Sequence, residues 1–115
     1  MAMGDLHLKT SNSVEKYLFI PSLNATLLQS IASFVALYIG RSPKLDEIKL
    51  YIELVLQEKR IVESYNAKLI TQDEVCSFLL AHIYTQFVAH EKSICEVSKD
   101  KIEEIARNIR TLLFQ

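Results

Sequence analysis

The stretch from Val75 to His90, VCSFLLAHIYTQFVAH, constrains the fold more than any other part of the sequence. Its sixteen residues contain no Asp, Glu, Lys or Arg, although 23% of the whole chain is charged. The stretch is long and shows no alternating strand pattern, so it favours a helix. A helix without charged residues has no face suited to water. We therefore expect most of its sides to be covered.

The boundary signals along the chain are also those of helices. Gly40 follows an apolar run and can end a first helix in the left-handed conformation. Ser42 and Pro43 form a favoured opening pair for a second helix. Thr71 and Glu74 have the spacing of a capping box, in which each side chain binds a backbone N–H of the other residue. These signals predict an all-α fold.

The spacing of the signals divides one domain, residues 1–115, into four main helices. Their predicted ranges are about 23–39, 43–65, 72–92 and 99–114, with Ser98 as the cap of the last. Short connections make consecutive helices antiparallel, so we expect an up-down four-helix bundle. A short helical turn near 13–19 can precede it, and residues 1–12 are expected to be loose.

The second predicted helix has two apolar stripes. The expected core stripe consists of Leu45, Ile48, Ile52, Val55 and Val62. The other stripe lies well round the helix and consists of Leu50, Leu54, Ile61 and Tyr65. A helix on the outside of a monomeric bundle needs only one apolar stripe. The second stripe is therefore a candidate surface for a partner or for a second copy of the chain.

The first predicted helix offers a rival surface. Apolar residues occupy most of its circumference, and the remainder includes the small polar residues Thr26, Ser30 and Ser33. Small side chains on one face allow another helix to approach closely. This face is a second candidate for an interface.

Together these helices carry more apolar surface than one small bundle readily covers. We expect the surplus to be buried against another copy, giving a homodimer, or against a different protein. In that role the chain would be an adaptor, a chaperone, an inhibitor or immunity-type partner, or a regulator. The alternative is a monomer with scattered surface apolar residues, which are common.

No constellation of reacting groups can be assembled from the sequence, so we expect neither an enzyme nor a cofactor. A di-metal bundle would need Glu three residues before a His, and none of His7, His82 and His90 has one. With only two glycines, the chain offers no phosphate-binding loop. His90 is either an ordinary histidine near a helix end or a pH-sensitive interface residue.

The charge balance and the cysteines limit which partners and which cellular compartment we expect. The chain has 13 basic and 14 acidic residues, a balance that argues against nucleic-acid binding and leaves a DNA-linked regulator as a further alternative. Cys76 and Cys95 follow no secretion signal and are expected to be reduced thiols in the cytoplasm. The uncharged segment 17–39 keeps a membrane-associated protein open as an alternative, although Pro21 divides it.

Overall fold

The computed structural model describes Phe19, residues 21–58 and residues 60–115. All regular structure in this part of the chain is helical, which confirms the predicted all-α class. The helices are α1 (Ala25–Ile39), α2 (Leu45–Glu58), α3 (Ile61–Asn66), α4 (Gln72–Phe87) and α5 (Lys99–Leu113). Residues 1–12 and, except for Phe19, the turn predicted near 13–19 lie outside the described residues.

Helix α1 is capped at both ends. The Asn24 side chain accepts a hydrogen bond from the Leu27 N–H at 3.0 Å. At the other end Gly40 has φ 74° and donates its N–H to the Ala36 carbonyl at 2.9 Å. The prediction that Gly40 ends this helix is confirmed. α1 packs against α2, α4 and α5, and its buried residues are Leu27, Leu28, Ile31, Ala32, Phe34 and Val35.

The predicted second helix, 43–65, is in fact two helices. α2 begins at Leu45 and ends at Glu58, and α3 starts at Ile61 after Arg60, whose φ is 54°. The Arg60 N–H bonds to the Gln57 carbonyl, only three residues back, so the regular helical pattern stops there. The Arg60 guanidinium donates to both carboxylate oxygens of Glu63, each at 2.7 Å.

Three aromatic rings and one amide hold α3 in place. The Phe19 ring packs edge-on against Tyr65 at 5.2 Å and stacks on Phe114 at 4.6 Å. The Asn66 side chain accepts from the Phe19 N–H at 2.7 Å and donates to the Phe19 carbonyl at 3.0 Å. Both backbone groups of Phe19 are therefore satisfied by one side chain.

Helix α4 starts as predicted and ends early. Thr71 Oγ1 accepts from the Glu74 N–H and Glu74 Oε1 accepts from the Thr71 N–H, which confirms the capping box. The helix ends at Phe87, five residues before the predicted end at residue 92. Residues 88–98 form no helix and lead to Ser98, which caps α5 by accepting from the Lys101 N–H at 3.2 Å.

The end of α4 is decided by contacts with α1 and the turn that follows it. The Cys95 N–H bonds to the Tyr38 carbonyl at 2.6 Å, and Arg41 forms an ion pair with Glu91. Val88 is buried in the core. A helix continued through residue 92 would carry the chain about 7 Å further along the α4 axis and leave only residues 93 and 94 to lead back to the Tyr38 carbonyl.

Candidate functional site

Most of the uncharged run 75–90 is accounted for by contacts within the chain. Its buried residues are Val75, Cys76, Leu79, Leu80, Ile83 and Val88. Within residues 75–87 the exposed side of α4 is uncharged and mostly small, with Ser77, Ala81 and Thr85 around the half-exposed ring of Phe78. Core packing therefore explains the absence of charge only on the buried side of α4.

The second stripe predicted on residues 43–65 is only half present on the surface. Leu50 is 72% exposed and Leu54 is 49% exposed. Ile61 is 3% exposed, and Tyr65 is half-buried among Phe19 and Phe114. The prediction that these four residues share one surface is wrong, because the positive φ of Arg60 breaks the helical periodicity between Leu54 and Ile61.

Leu50 and Leu54 line an open groove between α2 and the C-terminal end of α4. The groove has a volume of about 670 Å³. Its lining residues are Glu47, Leu50, Tyr51, Glu53, Leu54, Gln57, Gln86 and Phe87. Half of these are apolar or aromatic, and the rest are two carboxylates and two amides. An open apolar groove with a few polar groups suits a helix or a peptide better than it suits a small enclosed substrate.

Contacts inside the protein fix the aromatic part of the groove. The Tyr51 hydroxyl donates to the His82 carbonyl at 3.2 Å, which connects α2 to α4. The Tyr51 and Phe87 rings meet edge-on with their centres 5.7 Å apart. Burial, and then the nearby Glu58 carboxylate, raise the pKa of Tyr51 above its ordinary value of 10.0. The phenol therefore keeps its proton and its hydrogen bond at neutral pH.

The charged residues along the groove are predominantly acidic. Helix α2 carries four carboxylates, at Asp46, Glu47, Glu53 and Glu58, and one lysine, Lys49. Glu47 and Glu53 lie on the groove itself, whereas α4 contributes the uncharged Gln86 and Phe87. A surface with this excess of one sign attracts partners of the opposite sign.

Cations lie beyond one end of the groove. Arg41 and Lys44 line a neighbouring depression that shares Glu47, Gln86 and Phe87 with the groove. Arg41 forms an ion pair with Glu91 there. Arg41 and Lys44 are therefore at the end near the start of α2, and Lys49 lines a separate depression together with Glu53. The charged residues that line the groove itself are Glu47 and Glu53.

The small polar residues predicted as a rival interface on the first helix, Thr26, Ser30 and Ser33, do not share one environment. Ser30 Oγ accepts a hydrogen bond from Asn108 of α5 at 3.2 Å. Thr26 and Ser33 are exposed, and the Ser33 hydroxyl donates to the Gln29 carbonyl of its own helix. For Ser30 the neighbour across this face is thus α5 of the same chain. An interface on Thr26 and Ser33 stays a prediction.

The histidines and cysteines that the structure describes lie outside the groove. Among the residues that the structure describes, no group of three His, Cys, Asp or Glu side chains could hold a metal ion. His90 is exposed in the turn after α4, and its pH-sensitive role stays a prediction. Cys95 is exposed, whereas burial raises the pKa of Cys76 to about 11, so this thiol is protonated at neutral pH.

The sequence predicts the two leucines of the groove but not its aromatic and acidic residues. The signal for Leu50 and Leu54 was an apolar stripe additional to the core stripe of α2. Tyr51 and Phe87 gave no comparable signal, because Phe87 falls on the expected core stripe of its own helix and only the packing of α2 on α4 brings the two rings together. Glu47 and Glu53 gave no separate signal, because exposed carboxylates are ordinary on a helix that faces water.

The uncharged segment 17–39 leaves a membrane-associated protein open as an alternative. Within Phe19 and residues 21–58 and 60–115, no helix is both long enough and apolar enough to cross a membrane. Helix α1, which contains most of this segment, has 15 residues, against the roughly 20 that a span requires.

No protein-family model matches the chain, and no curated protein and no solved structure shows significant similarity to it.

Proposed function

We propose that the chain is a helical protein–protein interaction module that binds an amphipathic helix of another protein in the groove between α2 and α4. The observation that carries this proposal is the exposure of Leu50 and Leu54, one turn apart beside the fixed rings of Tyr51 and Phe87. A bound helix places apolar anchors at three- and four-residue spacing in such a groove. Burial of the leucines would stabilise the complex by about 25 cal/mol for each Å² of apolar surface removed from water.

The proposal includes a four-helix architecture in which α2 and α3 together form one of the four members. Its support is the pattern of neighbours among the described helices: α1 contacts α2 and α5, and α4 also contacts α2 and α5. No contact joins α2 to α5 among these residues, whereas α1 and α4, the other two opposite members of the ring, do contact each other. This arrangement would leave the outer side of α2 available to a partner.

The role requires binding without catalysis. It fits an adaptor, a chaperone, an inhibitor or immunity-type partner, or a regulator, because each of these acts by covering or presenting a surface. The charge on α2 favours a different protein over a second copy as the occupant. A two-fold contact through the groove would bring the acidic face of α2 against itself, and like charges across an interface are unfavourable. Self-association through another face stays a prediction.

The test uses a defined probe: a fluorescent synthetic amphipathic helix of Leu and Gln, about five turns long. Binding is followed by fluorescence anisotropy. We expect the wild-type chain to bind it and the double variant Leu50→Gln/Leu54→Gln to lose most of the binding with its helical content unchanged. Phe78→Gln is the matched control, because Phe78 is a half-exposed apolar residue outside the groove.

Three outcomes would overturn the proposal. The wild-type chain could fail to bind the probe, or the double variant could bind it as well as wild type does. In the third, light scattering over a wide dilution range would show a dimer of the 13.2 kDa chain that the leucine substitutions dissociate. That result would make a second copy the occupant of the groove.

A further inference from the structure

We infer that the partner helix is cationic, with Lys or Arg side chains beside its apolar anchors that meet Glu47 and Glu53 on the edge of the groove. The inference rests on the proposed function, because it specifies the chemistry of the helix that the groove would bind. It is carried by the placement of the carboxylates around the leucine pair.

The two groove carboxylates lie on either side of the leucines. Glu47 precedes Leu50 by three residues and Glu53 follows it by three, so at about 100° per residue the leucines lie between them on the helix surface. A helix seated on Leu50 and Leu54 would therefore have one of its flanks near Glu47 and the other near Glu53. Lys or Arg on both flanks would meet a carboxylate on each side.

The stability of α2 explains some of these carboxylates and not the others. Asp46 and Glu47 are in the first turn, where negative charge is favourable to the helix dipole. Glu53 is in the middle of the helix, where the helix dipole has little effect on it. Glu58 is the last residue, where the helix dipole disfavours a negative charge. The ion pairs between described residues are Arg41–Glu91, Arg60–Glu63, Lys99–Glu103 and Arg110–Asp73, and none involves a carboxylate of α2. Lys49 is the one cation of α2 itself, and it lines a depression with Glu53 outside the groove without forming an ion pair. A cationic partner would supply opposite charge within the groove.

The same charges disfavour other occupants of the groove. An anionic helix would face Glu47 and Glu53 directly, and so would the phosphates of a nucleic acid or an anionic lipid surface. Each would be repelled most strongly at low ionic strength, because screening is weakest there. A cationic helix is the one class of amphipathic partner for which both the leucines and the carboxylates contribute.

The experiment compares three synthetic amphipathic helices that share one apolar face and carry Lys, Gln or Glu on the other. We expect wild type to bind the Leu/Lys helix most tightly and the Leu/Glu helix least. The variant Glu47→Gln/Glu53→Gln should bind the Leu/Lys helix about fivefold more weakly at low salt, since each exposed pair contributes modestly. Its affinity for the Leu/Gln helix should be unchanged, and high salt should remove the difference from wild type.

Glu96→Gln/Glu104→Gln is the matched control for net charge. Both residues are exposed, neither lines the groove, and Glu104 is on α5, which does not contact α2 within the described chain. The control should bind the Leu/Lys helix as wild type does. If it loses as much affinity as the groove variant, overall charge is responsible and the inference is wrong.

The two proposals fail in different ways. If all three helices bind equally and the leucine substitutions abolish binding of each, the groove is the site and only the cationic preference is wrong. If the Leu/Lys helix binds wild type and binds the variant Leu50→Gln/Leu54→Gln equally well, the groove is not the site. The proposed function then fails as well.

Discussion

Cys95 donates its backbone N–H to the carbonyl oxygen of Tyr38 at 2.6 Å, and this bond ties the segment after α4 to the last turn of α1. Carbonyl groups in the last turn of a helix have no partner within the helix. The ion pair between Arg41 and Glu91 joins the same two parts of the chain. Because the turn after α1 leads directly into α2, these contacts also help to position the groove.

Gly40 should be the most sensitive residue of this turn. Its φ of 74° lies in the left-handed region, where a side chain with a Cβ is strained. A Cβ at this position would meet Cys95 Sγ at 3.8 Å, an ordinary contact, so the cost comes from the backbone alone. We expect Gly40→Ala to lower the free energy of unfolding by about 1–2 kcal/mol. Gly40→Asn should cost less, because Asn tolerates this conformation better. Urea denaturation of both variants measures the difference, and equal stability of Gly40→Ala and wild type would contradict the assignment.

The two cysteines should differ sharply in reactivity. At neutral pH an aromatic disulfide reagent should modify the exposed Cys95 quickly and Cys76 only after unfolding, because the buried thiol keeps its proton. The pKa of Cys76 is raised from 9.0 to about 11 by burial first and by Asp73 to a lesser extent, while Arg110 opposes the shift. The unfolded chain therefore loses this proton at a lower pH than the folded chain does. The contribution of Cys76 to stability should be complete below pH 9 and lost as the pH rises through about 11.

Comparison with Cys76→Ala separates this effect from other groups that titrate at high pH, such as Tyr51. The variant should be less stable near neutral pH, because a buried side chain becomes smaller. Between pH 9 and 11 its stability should fall less steeply than that of wild type. Parallel curves would show that Cys76 ionises alike in the folded and unfolded chains.

The features that sequence predicted correctly are those set by local chemistry. The left-handed Gly40, the capping box of Thr71 and Glu74, and the Ser98 cap each depend on residues within one turn of each other. The end of α4 could not be predicted in the same way. Residues 88–92 contain no glycine or proline, and the helix stops there because Val88 and Cys95 make contacts with distant parts of the chain.

The error over the candidate surface has a single physical origin. Residues 57–60, QEKR, contain no residue that ordinarily breaks a helix, so the sequence predicts one helical periodicity from Leu45 to Tyr65. Leu50 and Leu54 precede the break and lie on the outside, as this periodicity predicts. Ile61 and Tyr65 follow it, and the left-handed conformation of Arg60 changes the direction of the chain before them. Ile61 therefore packs in the core, and Tyr65 packs against Phe19.

Arg60→Gly distinguishes the broken helix from a continuous one. In the middle of a continuous helix, glycine would cost about 1 kcal/mol relative to a good helix former. At a residue with φ 54°, glycine removes the strain of the left-handed conformation, so the variant should be as stable as wild type or more stable. The exposed pair with Glu63 is lost in the process, and Glu63→Gln serves as the control for that loss. A stability loss well beyond that of Glu63→Gln would favour the continuous helix.

Leu54→Glu and Ile61→Lys should have opposite consequences, although one periodicity would put both residues on the same stripe. Leu54 is 49% exposed, and glutamate is a good helix former, so Leu54→Glu should change the free energy of unfolding by no more than about 0.5 kcal/mol. Ile61 is 3% exposed, and a lysine there would have to bury its charge or displace α3 from the core. Ile61→Lys should therefore cost more than about 3 kcal/mol and could prevent folding.

Ile61→Val keeps the residue apolar and provides a milder test at the same position, with an expected cost of about 0.5–1.5 kcal/mol. Urea denaturation followed by far-ultraviolet circular dichroism measures all three variants. If Ile61→Lys is as stable as wild type, Ile61 lies on the outer surface and the continuous stripe is correct. A severe loss in Leu54→Glu would instead place Leu54 in the core, and the groove would then lose one of the two leucines on which its proposed function depends.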